Sequence, residues 1–280
     1  MKKVVLSAAA LMCGAMMFAQ TGNTSTATQA GGNNQATVDQ IGTNQSTITQ
    51  EHADNVALVD QNGTNTSTIA QDGEEHYADV WQDGSNNSSQ LEQGSSRAHD
   101  DNQSGIVQDG NSNSSYVKQI ADYNRAYVNQ VGNDNTVDLI QDSNPNGSLG
   151  NYSNINQEGN ENYAYSRQTT LSSAYLPRGQ NSNIEDVDQI DNSNYSSLDQ
   201  TGDDNYSKVN QSGNFSGSFN GTFSNEAAVI QNGDFLSSVI TQNDGGGNAD
   251  NWAQVNQSGI GHTQTLTQSG ANIATINQSN

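Results

Sequence analysis

The side chains that recur at fixed spacing in this sequence are carboxamides. They neither titrate at neutral pH nor attack a substrate; their chemistry is to donate and accept hydrogen bonds at once. In eighteen repeat units an asparagine is followed six residues later by a glutamine. The first nine pairs are Asn23/Gln29, Asn34/Gln40, Asn44/Gln50, Asn55/Gln61, Asn65/Gln71, Asn87/Gln93, Asn102/Gln108, Asn113/Gln119 and Asn124/Gln130. The rest are Asn135/Gln141, Asn151/Gln157, Asn162/Gln168, Asn183/Gln189, Asn194/Gln200, Asn205/Gln211, Asn225/Gln231, Asn251/Gln257 and Asn272/Gln278. Three further units keep the glutamine and change the opening residue: His76/Gln82, Leu236/Gln242 and His262/Gln268. Of the twenty steps between successive glutamines, twelve are eleven residues long. A short period sustained over a whole chain is the signature of a repeat or solenoid, so function is expected to reside in the array.

Side chains suited to other chemistry do not converge. His76 and His262 replace an opening asparagine, His52 falls at a turn, His99 lies in an interruption of the repeat, and no metal-ligand spacing appears. No metal and no cofactor is expected. The acidic pairs Glu74-Glu75, Asp100-Asp101 and Asp203-Asp204, and the glycine-rich stretch 244–250, are read as solvated charge, because the nonapeptide calcium repeat is absent. Catalysis needs a pocket holding groups of perturbed pKa; a thin solenoid offers none, so no catalytic residue and no enzyme activity is expected.

Composition narrows the choice further. Of 280 residues only 31% are hydrophobic, and the formal net charge is -22. Those values alone would argue for disorder, but a disordered chain does not hold residue types at fixed offsets. Residues 1–19 read as a signal peptide, with Lys2 and Lys3 ahead of an apolar run from Val4 to Phe18 and Ala19 before the cut. That run is shorter than the ~20 residues a spanning helix needs, so no membrane insertion is expected. The sole cysteine, Cys13, lies inside it, which leaves no disulfide. Beyond it, six basic residues (Arg97, Lys118, Arg125, Arg167, Arg178 and Lys208) face thirty acidic ones, a poor surface for nucleic acid.

The element that positions the amides follows from the unit itself. Two residues before the glutamine stands Val, Ile or Leu in nineteen of twenty-one units, and four before it Ala or Ser in eighteen. Offsets of two repeated along a segment define one face of a strand, not of a helix. Charged residues such as Asp39, Asp60, Glu92, Lys118, Arg167, Asp188 and Asp199 precede the glutamine and point away from that face. Tyr77, Tyr116, Tyr127, Tyr152, Tyr163, Tyr165, Tyr195 and Tyr206 also occupy outward offsets. Glycine stands two residues after the glutamine at Gly42, Gly63, Gly73, Gly84, Gly110, Gly132, Gly159, Gly202, Gly213, Gly233, Gly259 and Gly270, marking a tight turn.

One such strand cannot bury its apolar residue alone. The predicted fold is an all-β solenoid of strand-turn-strand rungs, two strands and about 22 residues each, forming two facing parallel in-register sheets. Rungs stacked ~4.8 Å apart would form a rod on the order of 50 Å long. An unpaired buried amide costs about 1–3 kcal/mol, and stacked Asn and Gln avoid that cost only if each recurs in every rung. The repeat domain spans 34–280, and 20–33 is either an export tag or an imperfect first rung. Interruptions fall at 94–101, 143–150, 170–180, 213–224 and 242–250; they contain Pro145 and Pro177, and two of them are expected to hide degenerate strands ending near Gln180 and Asn220.

The run Gln108-x4-Asn113-x5-Gln119-x4-Asn124-x5-Gln130-x4-Asn135-x5-Gln141, and again Gln189-x4-Asn194-x5-Gln200-x4-Asn205-x5-Gln211, resembles the curlin repeat of curli fibre subunits. The resemblance implies a secreted bacterial protein that passes the periplasm, leaves through an outer-membrane pore with accessory proteins, and polymerises outside the cell into amyloid fibres of the biofilm matrix. It implies self-association, with the chain as either major subunit or nucleator. Here nearly every strand opens with Asn, where the best known subunits alternate it with Ser, and the repeats are more numerous. The last unit, Asn272 to Gln278, matches the repeat, so end rungs are expected to offer unpaired backbone groups to another copy. The alternative reading is a monomeric solenoid adhesin, a module binding polysaccharide or another surface.

Overall fold

A computed structural model of the chain describes residues 22–94, 101–143, 150–171, 183–214, 224–243 and 250–280. The expected signal peptide, His99, Pro145, Pro177 and the expected strands ending near Gln180 and Asn220 lie outside the described residues.

Among the described residues all nineteen elements are strands, and every pairing between them is parallel. In chain order they are β1 (Thr24–Gln29), β2 (Gln35–Gly42), β3 (Gln45–Glu51), β4 (Val56–Asp72), β5 (Tyr77–Gly94), β6 (Gln103–Asn111), β7 (Ser114–Ile120), β8 (Arg125–Asn133) and β9 (Thr136–Asp142). There follow β10 (Tyr152–Asn160), β11 (Tyr163–Thr169), β12 (Asn183–Asn192), β13 (Asn194–Thr201), β14 (Asn205–Asn214), β15 (Asn225–Asp234), β16 (Ser237–Asn243), β17 (Asn251–Ile260), β18 (Thr263–Ser269) and β19 (Ile273–Ser279).

Outside the long strands β4 and β5, whose two halves pair separately, each strand pairs with the next but one, so the chain builds two ladders at once. One runs through β2, the first half of β4, the first half of β5, β6, β8, β10, β12, β14, β16 and β18. The other runs through β1, β3, the second halves of β4 and β5, β7, β9, β11, β13, β15, β17 and β19. Within each ladder every glutamine of the repeat lies on the glutamine of the rung before. Parallel neighbours need a crossover between them, and here the crossover is the strand of the opposite ladder.

Two features differ from the sequence expectation. β4 and β5, of 17 and 18 residues, continue through the turn from one ladder into the other, which makes a single nineteen-stranded sheet instead of two separate ones. The turns themselves stack in register there, Gly63 on Gly84 and Thr64 on Ser85, so backbone pairing carries on round the corner. The ladders also pass the long interruptions without a gap, β10 pairing directly with β12, β11 with β13 and β13 with β15. Thr24–Gln29, in the segment left open between tag and first rung, forms β1 and pairs along its length with β3.

The core is one cluster running the length of the ladders. It is drawn from the aliphatic and alanine positions of both, including Ile48, Ile69, Leu91, Val117 and Leu139 from one ladder and Val80, Ile106, Val128, Ile155 and Val209 from the other. Small Ala and Ser beside these leave room for the ladders to close on each other.

Candidate functional site

The site is the pair of amide columns that border this core. Every predicted amide from Gln40 to Gln268 is buried, whereas Asn34 and Gln278 near the ends are half-buried and Asn272 is exposed. In one ladder the glutamine Nε2 donates to Oε1 of the next rung without a break from Gln40 through Gln61, Gln82, Gln108, Gln130, Gln157, Gln189, Gln211 and Gln242 to Gln268. In the other the series is Gln29, Gln50, Gln71, Gln93, Gln119, Gln141, Gln168, Gln200, Gln231, Gln257 and Gln278. The distances are those of sound hydrogen bonds, for instance 2.6 Å from Gln82 to Gln108 and 3.0 Å from Gln119 to Gln141.

A primary amide has two N–H donors, and the second reaches across the molecule. Gln71 Nε2 donates to the Val56 carbonyl (2.9 Å), Gln119 to Gln103 (2.9 Å) and Gln141 to Arg125 (2.9 Å), each in the opposite ladder. An interior glutamine of this kind accepts from the rung before, donates to the rung after and ties the two ladders together. Sequence reading anticipated the column but not this cross-link, which depends on where the facing strand begins.

The asparagines act differently. Their Oδ1 accepts the backbone N–H of the same position one rung on, as Asn102 Oδ1 does from Asn124 (2.9 Å) and Asn113 Oδ1 from Asn135 (3.1 Å). Their Nδ2 donates to turn carbonyls, as Asn113 does to Gly132 (2.8 Å) and Asn205 to Gly233 (2.8 Å). Direct side-chain ladders also occur, for example Asn225 to Asn194 and Asn251 to Asn225, each 2.8 Å. The asparagine thus holds the turn while its column marks the rung spacing.

His76 shows what the position demands. It is 1% exposed, its backbone N–H donates to Asn55 Oδ1 (3.0 Å), and its Nδ1 accepts the Asn102 N–H (3.3 Å). An Nδ1 that accepts must be unprotonated, so imidazole here copies the asparagine oxygen. Leu236 keeps only the backbone half of the pattern, donating to Asn205 Oδ1 (3.0 Å). His262 sits near the end of its ladder with Nε2 3.1 Å from the Ser258 carbonyl.

Eleven of the predicted turn glycines have positive φ: Gly42, Gly63, Gly73, Gly84, Gly110, Gly132, Gly159, Gly202, Gly233, Gly259 and Gly270; Gly213 lies in β14 and pairs with Asp191. The requirement is sharpest at Gly132, where φ is +117° and a Cβ would stand 1.9 Å from the Gly159 carbonyl oxygen of the rung above. A second left-handed residue, which sequence reading missed, stands just before the opening asparagine: Asn33, Asp54, Asn86, Asp101, Asp134 and Asp204 all have φ between 55° and 59°. The enrichment of Asn and Asp there was the signal, since these tolerate that conformation best.

The outer face carries ordinary surface contacts. Lys118 pairs with Glu92 (3.0 Å) and Lys208 with Asp186 (2.6 Å), and Tyr163 stacks on Tyr195 with ring centroids 5.3 Å apart. Among the described residues no group of three or more His, Cys, Asp or Glu could hold a metal ion, and no helix is long and apolar enough to cross a membrane.

The family model described as the curlin associated repeat matches residues 65–94, 100–132 and 117–142. No curated protein matches the chain. The matched stretch holds the same glutamine columns and stacked turns that continue through the rest of the described ladders. Three overlapping or adjacent stretches within residues 65–142 are thus similar to the curlin associated repeat, and they form part of an all-β array of parallel strands.

Proposed function

We propose that the chain is a secreted subunit that polymerises head-to-tail into curli-like amyloid fibres outside a bacterial cell, serving biofilm matrix, adhesion and surface colonisation. The observation that carries this reading is the common polarity of the glutamine columns. Every amide in them hands a donor to the rung that follows and an acceptor to the rung before. Two copies placed end to end then meet donor to acceptor, and a contact of this heterologous kind generates a filament because it does not close. A rung joining such an end finds its register already set by side chains, so growth is templated and nucleation is the slow step. By family resemblance the partners are other copies of the chain, a nucleating subunit, and an outer-membrane pore with accessory proteins.

Fibre diffraction of the purified protein tests the reading. Aligned fibres should give a meridional reflection near ~4.7 Å from the rung spacing. A protein that stays soluble after prolonged incubation and lacks this reflection would overturn polymerisation and favour the monomeric adhesin.

A further inference from the structure

The repeat calls for Ala or Ser four residues before each glutamine, and β12 places Glu185 there, 0% exposed. Among the described residues it is the only Asp, Glu, Lys or Arg that is buried. One rung to either side the position is Ser153 and Ser207. From the other ladder β11 departs from the repeat as well: Ser166 replaces the usual aliphatic residue, and its hydroxyl hydrogen-bonds Glu185 Oε2. Glu185 Oε1 has no hydrogen-bond partner, nor have the Oγ atoms of Ser153 and Ser207.

None of the inner-face residues contributed by β10, β11, β13 and β14 is ionisable. The charge that acts on Glu185 is its neighbour Asp186, which lies on the outer face with Lys208 2.6 Å away. With no counter-ion on its carboxyl among the described residues, this buried group suits the neutral acid.

We infer that Glu185 makes ordering of this solenoid acid-favoured: the rungs from β11 to β14 close around the protonated carboxyl and are weakened when it ionises. This concerns the fold of a single chain and does not require that copies polymerise. Burial, opposed by the Ser166 hydrogen bond and reinforced by Asp186, raises the group from 4.5 to about 8. The folded chain therefore keeps a proton that the unfolded chain releases above 4.5. The stability linked to that proton is complete below the unfolded value, falls as pH rises towards about 8, and is constant beyond it.

Self-repulsion among thirty acidic residues also weakens with acid, so the effect has to be read as a difference from a variant. Glu185→Gln removes the titration, and an amide is already accommodated at this position in β18, where Gln264 Oε1 accepts from Ser238 (3.0 Å). The experiment is denaturant unfolding of the full chain, followed by β-sheet circular dichroism, across pH 5 to 9 for the wild type, Glu185→Gln and Glu185→Ala. The unfolding constant of the wild type relative to either variant should rise about tenfold per pH unit up to about pH 8 and then level. A ratio that does not change with pH overturns the inference. Should the glutamine variant fail to fold, the alanine variant, which restores the residue found at Ala126, carries the comparison. Circular dichroism reads strands in a single chain and in a fibre alike, so absence of fibres would sink only the assembly reading.

Discussion

The stretch from β6 to β9 and the stretch from β11 to β14 are built on the same margins and filled differently. In both, glutamine amides repeat at 2.8–3.0 Å, from Gln108 to Gln130 and Gln119 to Gln141 in the first and from Gln168 to Gln200 and Gln189 to Gln211 in the second. Between those margins the first stretch carries Ile106, Val117, Val128 and Leu139, whereas the second sets Glu185 against Ser166. The second also lies on both sides of the interruption 172–182, yet its strands stack as directly as those of the first. Rung geometry is therefore held by the edges of the inner face. Its centre decides how stable each rung is and under what conditions.

The largest expected effect tests whether the margins are equivalent. Gln119 is 0% exposed, accepts from Gln93 and donates to Gln141 and to the Gln103 carbonyl. Gln119→Glu would bury an unpaired charge against acceptors and should cost about 3–5 kcal/mol in denaturant unfolding. Gln200→Glu, in the second stretch, should cost as much; clearly unequal losses would break the comparison.

A smaller contrast sharpens the difference at the centre. Leu139 and Ser166 are paired neighbours in one column. Leu139→Ala opens a cavity in the core and should cost about 2–5 kcal/mol. Ser166→Ala removes only the hydrogen bond that Glu185 has and should cost about 1–3 kcal/mol. Unfolding midpoints at pH 6 decide; a costlier Ser166→Ala would mean that the polar pair, not aliphatic packing, dominates this column.

The smallest effect belongs to the outer face. Asp60 stacks on Asp39, and burial together with the charges of Asp39, Asp79 and Asp83 raises its pKa. A raised carboxyl costs stability once ionised, so Asp60→Asn should stabilise at pH 7 by no more than about 0.5 kcal/mol. The gain should vanish in acid, where the wild-type carboxyl is protonated in both states. Thermal midpoints at pH 7 and pH 3 give the sign; destabilisation at pH 7 would contradict the outward assignment.

Much of this was legible in the residues. Offsets of two between Asn, Ala or Ser, aliphatic and Gln gave the strand and its buried face, and glycine gave one of the two left-handed turn residues. The other stands at residues such as Asp54 and Asp134, where no single residue type is required and the pattern is diffuse. Strands expected near Gln180 and Asn220 rested on counting residues per unit. Those segments lie outside the described residues, and on either side of them β11 pairs directly with β13 and β13 with β15.

By itself the sequence determined the period, the parallel stacking and the identity of the amide columns, because a buried carboxamide is tolerated only where its like recurs one rung away. Tertiary structure alone decided three further points: that β4 and β5 join the ladders into one sheet, that each inner glutamine also binds a carbonyl of the facing strand, and that Glu185 meets Ser166. Those contacts join residues of opposite ladders, and their partners follow from how the ladders close on each other, which no local spacing records.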